Sequence, residues 1–279
     1  MVLGTTRVTK SKSTSAAAHY SANYGNFQTE LYADIRREAF GEDIGQNSWL
    51  TADEQDKFLA WLNLSPGKTL LDIACGAGGP ALRIAAITGC SVVGIDIHAD
   101  AIAAAQALTI ERGLNGRAEF QAGDVTGALP FPDSSFDAIT CIDAINHLPD
   151  RPRILAELSR LLKPKGRLLF TDPITLTGPI TNEEVTIRSA AGFYVFVPPG
   201  YDQRAIEQGG LKLLVCDDVS ANMANVAEAR RAARERRSAH LCEIEGRDAY
   251  ARQQEFLAVT ARLAKEGRIS RFVYVSEKS

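Results

Sequence analysis

Asp72, Gly76, Gly78 and Gly79 fall within one run, residues 70–80 (LLDIACGAGGP), in which an apolar stretch ends in an acid and yields to glycines and then to helix-forming residues. Backbone without Cβ atoms can take positive φ and let a bulky ligand approach, and the helix beyond offers unpaired N–H groups. The chemistry implied is that of a nucleotide or nucleoside site. A second apolar run, SVVGID, ends in Asp96, placed to accept hydrogen bonds from ribose hydroxyls. A third closes on Gly123-Asp124-Val125, a carboxylate and a backbone amide at the height of an adenine edge. Farther along, His147 and Asp172 follow the next two strand-like runs, so both belong on the carboxyl rim of a sheet, where His147 could take a proton and Asp172 could orient its ring. Each also has a structural alternative: a loop histidine bonded to backbone, and an acceptor for N–H groups before Pro173. Asp143 reads as a turn residue or a cofactor neighbour.

Residues 76–81 also satisfy GxGxx(G/A), so a nicotinamide or flavin dinucleotide site has to be weighed. Asp72 separates the two readings. Just before the turn its charge would crowd a pyrophosphate, whereas it could accept a hydrogen bond from an ammonium group, which favours a ligand bearing an amino acid.

These residues need a scaffold, and the sequence between 66 and 172 supplies one. Strand-like runs (KTLLDIA, SVVGID, RAEFQAGD, FDAITCID, GRLLFTD) alternate with helical patterns, a βαβ series that builds a parallel sheet with right-handed crossovers and helices on both faces. Asp150 with Pro152 announces one helix start, and KPKG at 163–166 stops that helix before the fifth strand. After Pro173 an insertion, about 174–208, interrupts the rhythm before LKLLVCDDV resumes as a strand. A long helical stretch, roughly 221–267, follows, and RFVYVS closes the sheet, for seven strands in all. Three domains of behaviour are expected: a disordered lead-in (1–18), an N-terminal helical cap (19–64) rich in aromatic residues, among them Tyr20, Tyr24, Phe27, Tyr32, Trp49 and Trp61, and the main domain (65–279).

Composition narrows the function. The 279 residues carry a formal net charge of −3, which provides no global field for nucleic acid or an anionic membrane, and no apolar run is long enough to span a bilayer. Five cysteines without a CxxC pair suggest reduced thiols and no metal centre, and the lead-in lacks the apolar segment of a secretion signal, so a cytoplasmic location is expected. The basic run Arg230, Arg231, Arg234, Arg236 and Arg237, interleaved with Glu228 and Glu235, spreads around a helix axis and reads as a solvated face.

Taken in order, DIACGAGG, GID, GDV, FPDSSFD and LKPKGRLLFTD resemble the class I S-adenosylmethionine-dependent methyltransferases, within them the small-molecule group of quinone, sarcosine and natural-product enzymes. The resemblance covers about 66–173. It implies a Rossmann-like, seven-stranded, mostly parallel sheet whose last strand is antiparallel, with S-adenosyl-L-methionine as cofactor and S-adenosyl-L-homocysteine as product. It implies further that Gly76, Ala77 and Gly78 meet the methionine portion beside Asp72, that Asp96 holds the ribose, that Ile97 packs on the adenine with Asp124 and Val125 at its edge, that Ile142 adds a backbone contact, and that Gln46 reaches over the cofactor from the N-terminal segment. Tyr24, Phe193, Tyr194 and Phe196 are the candidates for binding an acceptor. The function expected is methyl transfer to oxygen or nitrogen of a small metabolite, with carbon methylation, an NAD(P)-dependent oxidoreductase and a non-catalytic cofactor-binding module as alternatives. A monomer or homodimer is expected.

Overall fold

A computed structural model describes residues 29–190 and 192–279. The expectations for residues 1–18 and for His19, Tyr20, Tyr24 and Phe27 lie outside the described residues.

Seven strands form one sheet in the order β3-β2-β1-β4-β5-β7-β6. They are β1 (Thr69–Ile73), β2 (Ser91–Asp96), β3 (Ala118–Ala122), β4 (Phe136–Cys141), β5 (Leu162–Leu176), β6 (Leu211–Asp218) and β7 (Ile269–Lys278). The first five are parallel; β7 runs antiparallel between β5 and β6. Parallel strands buried on both faces need apolar side chains at alternating and intervening positions alike. Thus Leu70, Val92, Ala138 and Leu169 face one layer, while Leu71, Ile95, Ile139 and Phe170 face the other.

The first layer holds α2 (Ala52–Leu62), α3 (Gly79–Thr88) and α4 (Ala99–Glu111), through Phe58, Leu62, Leu82, Ile102 and Ala105. On the second lie α5 (Arg151–Leu161) and α7 (Tyr201–Gln208), through Leu155, Leu158 and Ile206. Asp150 caps α5 by accepting from the Arg153 amide, with Pro152 in the first turn, as its sequence predicts.

A third cluster sits beyond the carboxyl ends of the central strands. It joins α1 (Glu30–Phe40), α8 (Ser220–Glu235) and α10 (Arg247–Lys265) through Phe40, Met223, Val226, Leu257 and Leu263, and Ile174 and Ile269 tie it to the sheet. Two expectations change here. The predicted helical stretch 221–267 is three helices, α8, α9 (Ser238–Glu245) and α10, broken at residues 236–237 and at Gly246. β5 is also longer than GRLLFTD: it starts at Leu162, absorbs Lys163–Gly166 as an irregularity against β4, and continues to Leu176, where it carries the third cluster. The insertion contributes α6 (Asn182–Arg188), an extended segment bridged at Val197 to Thr175, and α7. No helix among the described residues is long and apolar enough to cross a membrane.

The segment between α1 and α2 lies directly on the start of α3. A Cβ built on Gly79 would stand 2.2 Å from the Ile44 carbonyl oxygen and 2.6 Å from that of Gly45. Gly79→Ala is therefore expected to lift this loop and destabilise the fold by about 1 to 3 kcal/mol, as overpacking does, measured by denaturant unfolding; unchanged stability would show that the loop is not seated there.

Candidate functional site

The glycine turn is braced by the acid at the tip of the neighbouring strand. Asp96 accepts from the Gly76 amide at 2.9 Å through one oxygen and from the His98 amide at 2.9 Å through the other. Gly76 has φ +54 and Gly78 φ +74. The space Gly78 leaves is filled by protein, since a Cβ there would meet Phe120 at 2.8 Å and Ala105 at 2.9 Å. This glycine is thus required for helix-to-sheet packing as well as for any ligand on its other side. Ala77 packs on Ala101 and Ala104.

The remaining cofactor candidates surround the same turn. Asp72 is buried, accepts from the Thr140 hydroxyl at 2.7 Å, and has its carboxyl pushed up to about 7 by burial, with the charge of Asp96 adding to the effect. It borders a small cavity with Leu50, Gln55, Pro80, Thr140 and Ile142. Among the described residues no cation pairs with Asp72, so a ligand ammonium there would meet an acid whose ionisation it favours. Ile97 is 64% exposed at the tip of β2, an apolar surface offered to solvent. Asp124 is exposed, and one of its oxygens is taken by the Thr126 amide and hydroxyl, which holds the carboxyl below its ordinary range. Val125 turns its side chain into the second layer, leaving only its backbone for a ligand edge. This set fits an adenosine with an amino-acid tail: an acid for ribose, an apolar face for a base, and a buried acid for an ammonium.

Gln46 departs from expectation. Its side chain is buried in its own loop, accepting from the Ile44 amide at 2.9 Å and donating to the Glu42 carbonyl at 3.3 Å, so it shapes the loop and does not reach over the turn.

A larger cleft of about 160 Å³ opens on the carboxyl rim between the strand ends and the third cluster. Its lining includes Trp49, Asn146, His147, Arg188, Tyr194, Arg230 and Phe256. His147, in a 3₁₀ turn after β4, donates from Nδ1 to the Phe193 carbonyl at 2.9 Å, and its ring lies edge-on to Tyr194 with centroids 4.5 Å apart. Burial lowers its pKa, so the ring is neutral at neutral pH and Nδ1–H donation puts the lone pair on Nε2. Of the expected aromatic residues Tyr194 lines the cleft. Phe193 contributes its carbonyl and leaves its ring 59% exposed, and Phe196 packs into the third cluster.

Asp172 does not orient His147. Its carboxylate is wholly buried and accepts from Arg151 at 2.7 Å, and the same guanidinium donates to Asp202 at 2.8 Å and to the Val195 carbonyl at 2.9 Å. Two acids on one buried cation leave Asp202 raised to about 7 by desolvation and by Asp172. The role of this knot is positional: it holds the extended segment at Val195, two residues from the carbonyl that accepts from His147. A second knot settles Asp143 as a network residue. It accepts from Arg271 Nε and from the Thr171 hydroxyl, both at 2.7 Å, and from the Trp49 amide at 2.8 Å, while Arg271 grips Glu54 at 2.8 Å.

The basic run also divides. Arg234 is buried against Glu245 at 2.7 Å, and Arg230 is half-buried on the cleft wall, so the run is not a uniformly solvated face. Sequence reasoning missed Arg188 and Phe256 altogether; their only signal was a basic residue and an aromatic one in segments without a motif.

Residues 71–170 match the family model described as a methyltransferase domain. The 27-O-demethylrifamycin SV methyltransferase of Amycolatopsis mediterranei is 29% identical over 203 residues, 68% of this chain and 74% of that protein. A sterol 24-C-methyltransferase of Gibberella zeae is 33% identical over 157 residues, 53% of this chain but only 40% of that protein. Among solved structures, the cyclopropane synthase MmaA2 from Mycobacterium tuberculosis superposes with a TM-score of 0.79 at 21% identity, over 98% of this chain and 100% of that one, a likeness of fold. The match to the family model spans β1 to β5 and omits Trp49, Arg188, Tyr194, Arg230 and Phe256.

Two substitutions separate the structural from the ligand-facing acids. Asp172→Ala, by leaving Arg151 underpaired, is expected to lower unfolding free energy by roughly 3 to 5 kcal/mol, the range for a broken buried pair, and a loss under 1 kcal/mol would contradict the knot. The Asp72 carboxyl is raised above its unfolded value, so the folded state without ligand loses stability as pH rises between the two values, at about 1.4 kcal/mol per unit of separation. Asp72→Asn should therefore unfold at a higher temperature than the native protein above neutral pH and at a similar temperature in acid; equal melting at alkaline pH would contradict the buried acid.

Proposed function

Since this chain is a class I S-adenosyl-L-methionine-dependent methyltransferase acting on small molecules, we propose that it methylates an oxygen or nitrogen of a small metabolite in natural-product chemistry, with His147 as the general base. The observation that carries this reading is an imidazole on the cleft wall, its Nδ1–H fixed by the Phe193 carbonyl and its pKa lowered by burial. The dinucleotide alternative is set aside on the match of residues 71–170 to the methyltransferase-domain model.

The residues around the glycine turn would hold the cofactor: Asp96 the ribose hydroxyls, Ile97 and the Asp124-Val125 backbone the base, Asp72 and the Gly76–Gly78 backbone the amino-acid tail. When bound, the cofactor supplies an electrophilic methyl group on a positively charged sulfur, open to in-line displacement. This chain's own task is then to hold the nucleophile on that line in a cleft screened from water, a contribution of roughly 7 to 11 kcal/mol for well-oriented reactants. A hydroxyl sheds its proton as it attacks, and an ammonium must lose one before its nitrogen has a lone pair to attack with; His147 receives that proton at Nε2 while the Phe193 carbonyl keeps the ring from rotating. The buried Arg151 knot keeps Phe193 in place through Val195, so the base is oriented by a carbonyl and only indirectly by Asp172.

Carbon methylation is the second reading, favoured by the sterol 24-C-methyltransferase relative. The test is incubation of the protein and a methyl-deuterated cofactor with metabolite extract, followed by mass spectrometry of the trideuterated product, which identifies both acceptor and methylated atom. For a base, His147→Ala should reduce turnover by about 10²- to 10⁴-fold. The native enzyme should lose activity on the acid side of a pKa below the ordinary histidine value, because the base works only when neutral, and the variant should lack that limb. Near-native turnover in His147→Ala, or a carbon-methylated product, would overturn the base.

A further inference from the structure

The cleft contains cationic groups that the reaction as described does not use. Arg151, Arg234 and Arg271, the other arginines buried around the rim, each face a carboxylate at 2.7 to 2.8 Å. Arg188 does not. It is 1% exposed, donates from one Nη to the Thr260 hydroxyl at 2.8 Å, and sits 4.7 Å over the Phe256 ring, with Nε buried and without a partner. Arg230 faces Trp49 at 5.7 Å and Phe40 at 5.9 Å, with no carboxylate in salt-bridge range among the described residues. The undescribed residues cannot supply one from a side chain: the first acid in the sequence is Glu30, and the remaining undescribed position is Ala191. Asp143, the acid on the cleft wall, is already engaged by Arg271, Thr171 and the Trp49 amide. Arg252 adds a third positive charge at the exposed edge.

Ring faces attract guanidinium groups but do not neutralise them. Burying an unpaired charge is unfavourable, and both guanidinium pKa values are accordingly pushed down to about 10, Arg188 by burial and Arg230 by burial with Arg234 and Arg36 close by. A planar guanidinium without its anion is matched best by the paired oxygens of a carboxylate or phosphate. Trp49 and Phe256, stacked with centroids 6.2 Å apart, line the same space with Tyr194 and offer apolar surface beside the charges.

Resting on the methyltransferase reading, we propose that the methyl acceptor carries an oxyanion, a carboxylate or phosphate, which Arg188 and Arg230 grip as a handle while its apolar body lies against Trp49, Phe256 and Tyr194. The handle is not the methylated atom; it fixes the acceptor so that the nucleophile comes to His147.

The test is calorimetric titration of the whole protein with inorganic phosphate, inorganic diphosphate and benzoate, at ionic strength matched with sodium chloride, with and without S-adenosylhomocysteine. Saturable binding of at least one probe is expected, with phosphate against benzoate showing which oxyanion is preferred. Arg188→Gln and Arg230→Gln should each weaken that probe by about 10- to 100-fold, the loss of a charged hydrogen bond, while S-adenosylhomocysteine affinity stays native. If Arg188→Gln does not fold, Arg230→Gln alone decides. Absence of binding by all three probes, or native binding in the folded variants, would overturn the proposal. Failure of S-adenosylhomocysteine to bind would instead overturn the cofactor reading, and the probes titrated without it would still judge the anion site.

Discussion

A fully buried guanidinium calls for an anion, from the protein or from a ligand, and Arg271 is the one whose partners within the protein shape the rest. Its partners come from three parts of the chain: Glu54 from α2, Asp143 from the turn after β4 and, through Asp143, Thr171 from β5. Burial would lower the pKa of Arg271, but Asp143 and Glu54 reverse that and raise it, whereas Glu54 itself is raised by desolvation. Such a network contributes little net stability over an apolar core, yet breaking it leaves a bare charge. It therefore acts as a constraint: α2, the tips of β4 and β5, and the start of β7 have to meet at one point. Asp143 accepts positive φ, +51, to be there.

The placement of the cleft follows from this. Trp49 is held on both sides of its peptide, its amide by Asp143 and its carbonyl by the Asn222 side chain of α8, so the loop before α2 and the third cluster are locked to the same rim. Arg151 does the equivalent on the other side, joining α5, β5 and α7 and fixing the extended segment that holds His147. Between the two knots lies the cleft. Its wall is hydrogen-bonded where it holds His147 and without a carboxylate where it presents Arg188 and Arg230, a division expected of a site that completes its charge with a ligand.

The glycine turn was legible because its information is local: Asp72, Gly76, Gly78 and Asp96 are spaced by a strand, a turn and a crossover, and the βαβ rhythm that positions them recurs through residue 172. The cleft was not, since it is assembled from residues 47, 49, 143, 146, 147, 173, 188, 190, 194, 230, 249, 252, 253 and 256, and no periodicity links them. Arg230 illustrates the limit. Helical spacing alone spreads the five arginines around the axis, and which of them turns inward depends on where α1 and the Trp49 loop settle. Asp172 shows the same: an acid at a strand end before proline looks alike whether its partner is His147 or Arg151. Gln46 was placed by resemblance, and its loop closes on its own amide instead. The break at Gly246 had a glycine to mark it, whereas that at residues 236–237 falls among arginines that propagate a helix well.

The cofactor site proposed at the glycine turn has to open onto the acceptor cleft proposed at Arg188 and Arg230. The most direct measurement is a crystal structure of the protein with S-adenosylhomocysteine bound. Ribose hydroxyls are expected on Asp96, the amino group beside Asp72, and the sulfur facing the space lined by His147, Arg188 and Arg230. A sulfur walled off from that cleft by protein would contradict this arrangement.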